Sequence, residues 1–137
     1  KNNIPLEGKL FISLTESDKA QAGEVGKMFT DLGFEIVATS GTHAALEAAG
    51  VTSTKVLKIS EGRPNIDDMI RNEEIAIAIN TSDNAGSKTD ARTIRQSVLA
   101  NHVAYFTTIS AAKATALAIK ELKARMESLS LKHCRII

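Results

Sequence analysis

The chain has 137 residues, and its 43% hydrophobic and 24% charged residues are typical of one folded globular domain rather than a disordered chain. Its formal net charge is +1, so there is no bulk electrostatic case for binding nucleic acid or a membrane surface. The single cysteine, Cys134, excludes an internal disulfide framework and a zinc site built from cysteines.

The first half of the chain alternates short apolar runs with amphipathic stretches. Apolar residues three and four positions apart, from Ala22 to Leu32, predict a helix that ends at Gly33. The predicted elements are, in order, a strand at 9–14, this helix from residue 19, a strand at 34–38, a turn at 39–42, a short helix at 44–49 and a weaker strand at 54–59.

The second half repeats this alternation. Asn65 is a predicted helix cap, and the run at 75–79 is the most apolar of the chain, which favours a central strand. The predicted elements are, in order, a helix after Asn65, the strand at 75–79, a polar loop at 80–89, a helix through Val98, a strand at 103–106 and an alanine-rich helix at about 110–126. The last dozen residues carry no assignable pattern.

Five alternations of strand and helix with short connections predict an α/β fold. We expect a three-layer open sheet of about five parallel strands with helices on both faces and right-handed crossovers. In such sheets ligands bind beyond the carboxyl ends of the strands. The residues that follow each strand are therefore the candidate site.

Hydroxyl, amide, glycine and cationic residues follow four of the predicted strands. They are Ser13, Thr15, Ser17 and Lys19 after the first, Thr39, Ser40, Gly41 and Thr42 after the second, Lys58 and Arg63 after the third, and Asn80, Thr81 and Ser82 after the fourth. This composition suits a phosphate or carboxylate held by backbone N–H groups at helix N-termini. Taken singly, these residues are better explained as helix caps and solvated lysines, and only their convergence at one end of the sheet favours an anion site.

Other chemistry has weaker support in the sequence. The three histidines, at positions 43, 102 and 133, have no spacing that places two of them on one helical face, which disfavours a metal site. Asp67 and Asp68 are either a catalytic carboxylate pair or acids that favour the first turn of a helix. The chain has neither a Walker motif nor a G-x-G-x-x-G motif.

Five segments resemble the methylglyoxal-synthase-like domain family, in the version at the C-terminus of the large subunit of carbamoyl phosphate synthase. These segments are FISLTESDK at 11–19, GFEIVATSGT at 33–42, KISEGRPNI at 58–66, INT at 79–81 and RTIRQS at 92–97. The opening IPLEG at 4–8 is similar to the junction with a preceding synthetase domain. The resemblance therefore implies a fragment with a junction at 1–8, a regulatory domain at 9–125 and a C-terminal tail at 126–137.

The resemblance implies regulation rather than catalysis. In this family the domain binds pyrimidine or purine monophosphates and biases the domains that make carbamoyl phosphate from glutamine, bicarbonate and ATP. The implied effector and phosphate positions are Lys19, Thr39, Gly41, Thr42, Lys58, Asn80, Thr81 and Ser82. Ser13 is implied in effector response, Ile59, Ile66 and Ile94 in packing the base, and Thr107 on the side of the synthetase domain and the ornithine site.

The resemblance also implies the surroundings of the domain. It needs no cofactor or metal itself, while the full subunit uses ATP with Mg or Mn. Its partners are the nucleotide, the rest of the large subunit and the small glutaminase subunit, in the cytoplasm, in a ligase of pyrimidine and arginine biosynthesis. Ser82 replaces a threonine common in bacterial members, and the loop at 83–88 lacks the arginines of some members, which leaves effector identity and ornithine contact open.

Two enzymes of the same family are the alternatives. A methylglyoxal synthase eliminates phosphate from dihydroxyacetone phosphate and needs a carboxylate base beside the phosphate. Its glycine-glycine-aspartate segment is replaced here by SEGRP at 60–64, although Glu61, Asp67, Asp68 or Asp83 could substitute. The cyclohydrolase half of the last purine-synthesis enzyme shares the Ser-Gly-Thr turn, but the segment GRP at 62–64 lacks its longer lysine-bearing signature. A structural domain that binds no ligand is the remaining alternative.

Overall fold

The computed structural model describes residues 8–57, 65–81 and 88–136. Within these residues the chain forms five strands and five helices that alternate along the sequence. The strands are β1 Lys9–Ser13, β2 Glu35–Ala38, β3 Thr54–Lys55, β4 Ile75–Asn80 and β5 Ala104–Phe106. The helices are α1 Ala22–Asp31, α2 Ser40–Ala48, α3 Ile66–Arg71, α4 Lys88–Ala100 and α5 Ile109–Ile136.

The five strands form one parallel sheet in the order β3-β2-β1-β4-β5. Its register aligns the carboxyl ends of the three inner strands, because Ile12 pairs with Ala38 and Ser13 pairs with Asn80. The predicted fold class is confirmed.

The alternation of side chains along β1 explains the two cores. Leu10 and Ile12 pack into a cluster with residues of α1, α2 and α5, whereas Phe11 packs into a second cluster with residues of α3 and α4. All three side chains have no exposed surface. Because successive strand residues point to opposite faces, a strand covered on both sides must be apolar throughout, as β1 is.

The first turn of α3 confirms the predicted cap at Asn65. The Asn65 side chain accepts hydrogen bonds from the backbone N–H groups of Asp67 and Asp68, at 2.9 and 3.3 Å. The Asp68 carboxylate in turn accepts from the Asn65 N–H at 2.8 Å. This reciprocal capping box satisfies donors that the first helical turn leaves without intrahelical partners.

Three boundaries differ from the sequence prediction. Helix α2 begins at Ser40, so most of the turn predicted at 39–42 is helical. Strand β3 has only two residues, both exposed, and α5 continues to Ile136 through much of the segment that had no assigned pattern.

The predicted central strand at 75–79 is an interior strand, but the middle of the sheet belongs to β1. Apolarity reports how completely helices cover the faces of a strand, and both β1 and β4 are covered. The apolarity of a strand carries no information about its position in the strand order, so it could not show whether β1 or β4 is the middle strand.

Candidate functional site

The carboxyl ends of β1, β2 and β4 meet at one edge of the sheet. The chain passes from β1 through α1 to β2 on one side, and β4 returns to the other side of β1. This reversal of strand order opens a crevice in which open α/β sheets bind ligands. The segments after these strands carry most of the predicted phosphate residues that the structure describes.

Five polar side chains come together here, and we call them the strand-end cluster. They are Ser13, Thr39, Thr42, Asn80 and Thr81, and each is at most 8% exposed. The Thr39 hydroxyl lies 3.2 Å from the Ser13 hydroxyl and donates a hydrogen bond to it, which links the ends of β2 and β1. Burial of this many polar groups is tolerated because they are hydrogen-bonded.

Two threonines of the strand-end cluster fix the loop that follows β1. The backbone N–H of Leu14 donates to Thr42 Oγ1 at 2.9 Å, and the N–H of Thr15 donates to Thr81 Oγ1 at 3.0 Å. The loop is therefore held by α2 on one side and by the end of β4 on the other.

The loop also closes on itself before the chain turns into α1. The Thr15 hydroxyl donates to the Asp18 carboxylate at 3.0 Å, and the Thr15 carbonyl accepts from the N–H groups of Asp18 and Lys19, both at 3.0 Å. A 3-10 turn at Lys19–Gln21 follows. This local network sets where Glu16 and Lys19 leave the backbone.

Lys19 lies against the first turn of α2. A Cβ placed on Gly41 would come within 2.6 Å of Lys19 Nζ and 3.3 Å of Lys19 Cε, so only glycine leaves room for the ammonium in this position. The side chain of Thr39, the N-cap residue of α2, makes no capping hydrogen bond and is turned to Ser13 instead. The positive end of the α2 dipole and the Lys19 charge thus face the same space.

Lys19 forms an ion pair with Glu16. Lys19 Nζ lies 2.7 Å from Glu16 Oε2, with the Lys19 side chain 23% exposed and the Glu16 side chain 91% exposed. The hydrogen bond from Lys19, together with its positive charge, holds the pKa of the Glu16 carboxyl below its usual range. Glu16 is therefore a carboxylate at neutral pH.

The remaining predicted site residues are distributed unevenly. Ile66 and Ile94 are buried in the cluster between the sheet, α3 and α4, at 0% and 7% exposure. Ile66 therefore has no surface for contact with a base, and base packing by Ile94 stays a prediction. Thr107 is half-buried and follows β5 at the same edge of the sheet. Lys58, Ile59 and Ser82 lie outside the described residues.

The two adjacent aspartates of α3 are engaged in the fold. Asp68 closes the capping box, while Asp67 lies 2.9 Å from Arg71 Nε and accepts a hydrogen bond from the Ser97 hydroxyl. These partners give both carboxylates a structural role, in helix capping and in ion pairing. Glu61 and Asp83, the other acids considered as a catalytic base, lie outside the described residues.

Two residues near the site were missed by sequence reasoning. Glu16 is three positions before Lys19, a spacing that is easily overlooked outside a helix. Tyr105 on β5 accepts a hydrogen bond from the Asn80 amide at 3.5 Å, across 25 positions of sequence. The sequence does indicate the Glu16–Lys19 pair, because an acid and a base stand three positions apart. The contact of Tyr105 with Asn80 depends on the pairing of β4 with β5, which the sequence does not reveal.

Neither a cluster of metal ligands nor a membrane-spanning helix is present in the part of the chain that the structure describes. There, no three His, Cys, Asp or Glu side chains are grouped as metal ligands would be. Nor does any helix among those residues combine the length and apolarity needed to cross a bilayer.

The chain is similar to known proteins over nearly its whole length. The family model described as MGS-like domain matches residues 21–107. A carbamoyl phosphate synthase large chain of Helicobacter pylori is 53% identical over 130 residues, which are 95% of this chain and 12% of that protein.

Carbamoyl phosphate synthase large chains of other organisms are similar to this chain as well. A carbamoyl phosphate synthase large chain, C-terminal section, of Aquifex aeolicus is 47% identical over 120 residues, or 88% of this chain and 22% of that protein. A large chain of Methanothrix thermoacetophila is 44% identical over 121 residues, or 88% and 11%. The chain thus spans between 11% and 22% of the length of these relatives.

Proposed function

The chain belongs to the family of MGS-like domains, and we propose that it is the effector-binding, regulatory domain of a carbamoyl phosphate synthase large chain. Its ligand is a nucleoside monophosphate of the uridine or inosine type. Similarity to carbamoyl phosphate synthase large chains over 95% of this chain supports the assignment to that enzyme.

One observation carries the phosphate part of the proposal. The Lys19 ammonium and the N-terminus of α2, which no Thr39 side chain caps, converge at the carboxyl end of the sheet. A phosphate monoester bound there gains charge-assisted hydrogen bonds from both the backbone and the lysine.

The other predicted residues have supporting roles in this proposal. The strand-end cluster holds the loop that carries Lys19, while Lys58 and Ser82 supply a second cation and a hydroxyl group. Ser13 passes the occupancy of the site into β1 through its hydrogen bond with Thr39. Ile59 and Ile94 pack the base, whereas Ile66 has no exposed surface and stays in the core. Thr107 faces the synthetase domain and its ornithine site.

Regulation follows from linkage. A nucleotide that binds one arrangement of the subunit better than another shifts the catalytic equilibrium by its differential affinity, typically about 1 to 3 kcal/mol. The synthesis itself, in the cytoplasm and for pyrimidine and arginine production, belongs to the other domains with ATP and Mg or Mn and to the small glutaminase subunit. The domain performs no step of the reaction and needs no cofactor of its own.

Calorimetric titration of the chain tests this proposal against a methylglyoxal synthase. The ligands are uridine monophosphate, inosine monophosphate and dihydroxyacetone phosphate, and methylglyoxal is assayed in the last sample. Saturable nucleotide binding without product supports the regulatory domain. Methylglyoxal formation with turnover contradicts it and directs attention to Glu61 and Asp83.

We expect Lys19→Ala to weaken nucleotide binding by about tenfold or more, because it removes one charge-assisted hydrogen bond worth about 1.5 to 3 kcal/mol. Lys58→Ala should act in the same direction. The fold should stay intact in both variants, as thermal unfolding can show. The matched control is Lys120→Ala, which removes an exposed lysine of α5. Unchanged nucleotide affinity in both Lys19→Ala and Lys58→Ala would contradict the proposed phosphate site.

A further inference from the structure

The Lys19 ammonium has an anion as its neighbour before any ligand arrives. Glu16 Oε2 lies 2.7 Å from Lys19 Nζ, within the range of charge-assisted hydrogen bonds. Lys19 is largely covered, whereas the Glu16 side chain is 91% exposed. The cation is thus the fixed partner of this pair and the carboxylate is the partner on the solvent side.

The position of Lys19 explains why an anion is needed. Its ammonium lies over Gly41 in the first turn of α2, where the helix dipole already presents positive partial charge. A cation is unfavourable at a helix N-terminus, and Thr39 supplies no side-chain oxygen there. The Glu16 carboxylate offsets this repulsion by lying against the ammonium.

We propose that Glu16 is an internal competitor of the phosphate ligand, holding the Lys19 ammonium in the free state and releasing it when phosphate binds. This inference rests on the proposed function, since it assigns a second anion to the same cation. Both anions require the same face of one ammonium group, so binding of the phosphate displaces the carboxylate or suffers its repulsion.

The local structure lets Glu16 leave without disturbing the loop. The backbone on either side is fixed by hydrogen bonds from the Thr15 N–H to Thr81 and from the Thr15 hydroxyl to Asp18. The Glu16 side chain itself extends into solvent, so rotation about its own bonds moves the carboxylate into water. Displacement of the Glu16 carboxylate therefore breaks its ion pair with Lys19 and leaves the other hydrogen bonds of the loop in place.

Competition of this kind raises the intrinsic affinity that an anion needs before it can occupy the site. A phosphate dianion replaces the single negative charge of Glu16 with a larger one, whereas a carboxylate ligand only exchanges one like group for another. Every anion that reaches the Lys19 ammonium breaks the same ion pair with Glu16. Removal of the Glu16 charge should therefore tighten the binding of every displacing anion by the same factor.

The test compares Glu16→Gln with the wild-type chain by calorimetry, using uridine monophosphate, inorganic phosphate and acetate as probes. We expect Glu16→Gln to bind all three probes more tightly by one common factor of about two to five, the range of an exposed ion pair. Glu121→Gln on the exposed surface of α5 is the matched control for the change in net charge. A double-mutant cycle adds Lys19→Ala, in whose background the gain from Glu16→Gln should disappear.

The outcomes separate this inference from the function on which it rests. Wild-type binding that Lys19→Ala weakens, combined with equal or weaker binding by Glu16→Gln, overturns the role of Glu16 and leaves the phosphate site standing. The same gain in Glu121→Gln, or a gain that survives Lys19→Ala, also overturns it, because only net charge would then matter. Absence of binding in every variant overturns both proposals.

Discussion

Gly41 and Lys19 depend on each other at the scale of single residues. The glycine leaves the space that the ammonium occupies, 2.6 Å from where a Cβ would be. The lysine end is flexible, so an alanine at position 41 displaces it rather than distorting the helix. Affinity and stability can therefore be separated at this position.

We expect Gly41→Ala to weaken uridine monophosphate binding while keeping the free energy of unfolding within about 1 kcal/mol of wild type. The alanine moves the Lys19 ammonium away from the α2 N-terminus, yet alanine is the better helix former by up to about 1 kcal/mol. Calorimetry and denaturant unfolding measure the two quantities. Gly23→Ala is the contrasting variant, because its Cβ would come within 2.5 Å of Ala49 Cβ and should destabilise the packing of α1 on α2.

If Gly41→Ala bound uridine monophosphate as tightly as the wild type, this would contradict the placement of the Lys19 ammonium at the N-terminus of α2. A large loss of stability would contradict the view that the lysine simply moves aside. Either result is decisive, because the first concerns only the ligand and the second concerns only the fold.

At the scale of elements, α2 and the loop after β1 are joined by the hydrogen bond from the Leu14 N–H to Thr42 Oγ1. Thr42 is 1% exposed and Leu14 is 4% exposed, so the hydrogen bond between them is buried. Without the hydroxyl, a buried donor would lose its partner. This bond fixes the distance between the helix N-terminus and the loop that carries Lys19.

We expect Thr42→Val to lower the free energy of unfolding by about 2 kcal/mol, because the shape is kept and the Leu14 N–H is left unsatisfied. Thr42→Ser keeps the acceptor and loses one methyl group, at about 1 kcal/mol. Denaturant unfolding gives both values, and amide hydrogen exchange locates the effect. The Leu14 amide should exchange faster in Thr42→Val and stay protected in Thr42→Ser. Equal protection of that amide in the two variants would contradict the bond.

At the scale of the whole molecule, the alternation of apolar runs predicted the sheet and its helices because burial on two faces demands apolar residues. The start of α2 was wrong because Ser40, Gly41 and Thr42 favour turns when considered alone. Tertiary contacts override that preference here: Thr42 is buried against the β1 loop, and Gly41 leaves space for Lys19.

The candidate site was predicted in composition but not in arrangement. The topological rule brought the strand ends together, and the structure places Ser13, Thr39 and Asn80 there. The rule could not reveal that the threonine hydroxyls bond the β1 loop, or that Glu16 pairs with Lys19. Both contacts depend on the backbone conformation of the loop that follows β1. Hydrophobic periodicity carries no information about that conformation.

The site draws its residues from the ends of β1 and β4, from α2 with its N-cap Thr39, and from the turn at Lys19–Gln21. It therefore exists only when these four elements are assembled. A ligand bound there should therefore stabilise the entire chain by mass action, by about 2.7 kcal/mol at a concentration 100 times its Kd. For a chain of this size that corresponds to a rise in Tm of roughly 8 °C. Differential scanning calorimetry with uridine monophosphate, at ionic strength matched with sodium chloride, measures this shift. Lys19→Ala should lose most of the rise and Lys120→Ala should keep it. Nucleotide binding with no rise in Tm would mean that the ligand binds the unfolded chain equally well, which no site assembled from four separate elements can do.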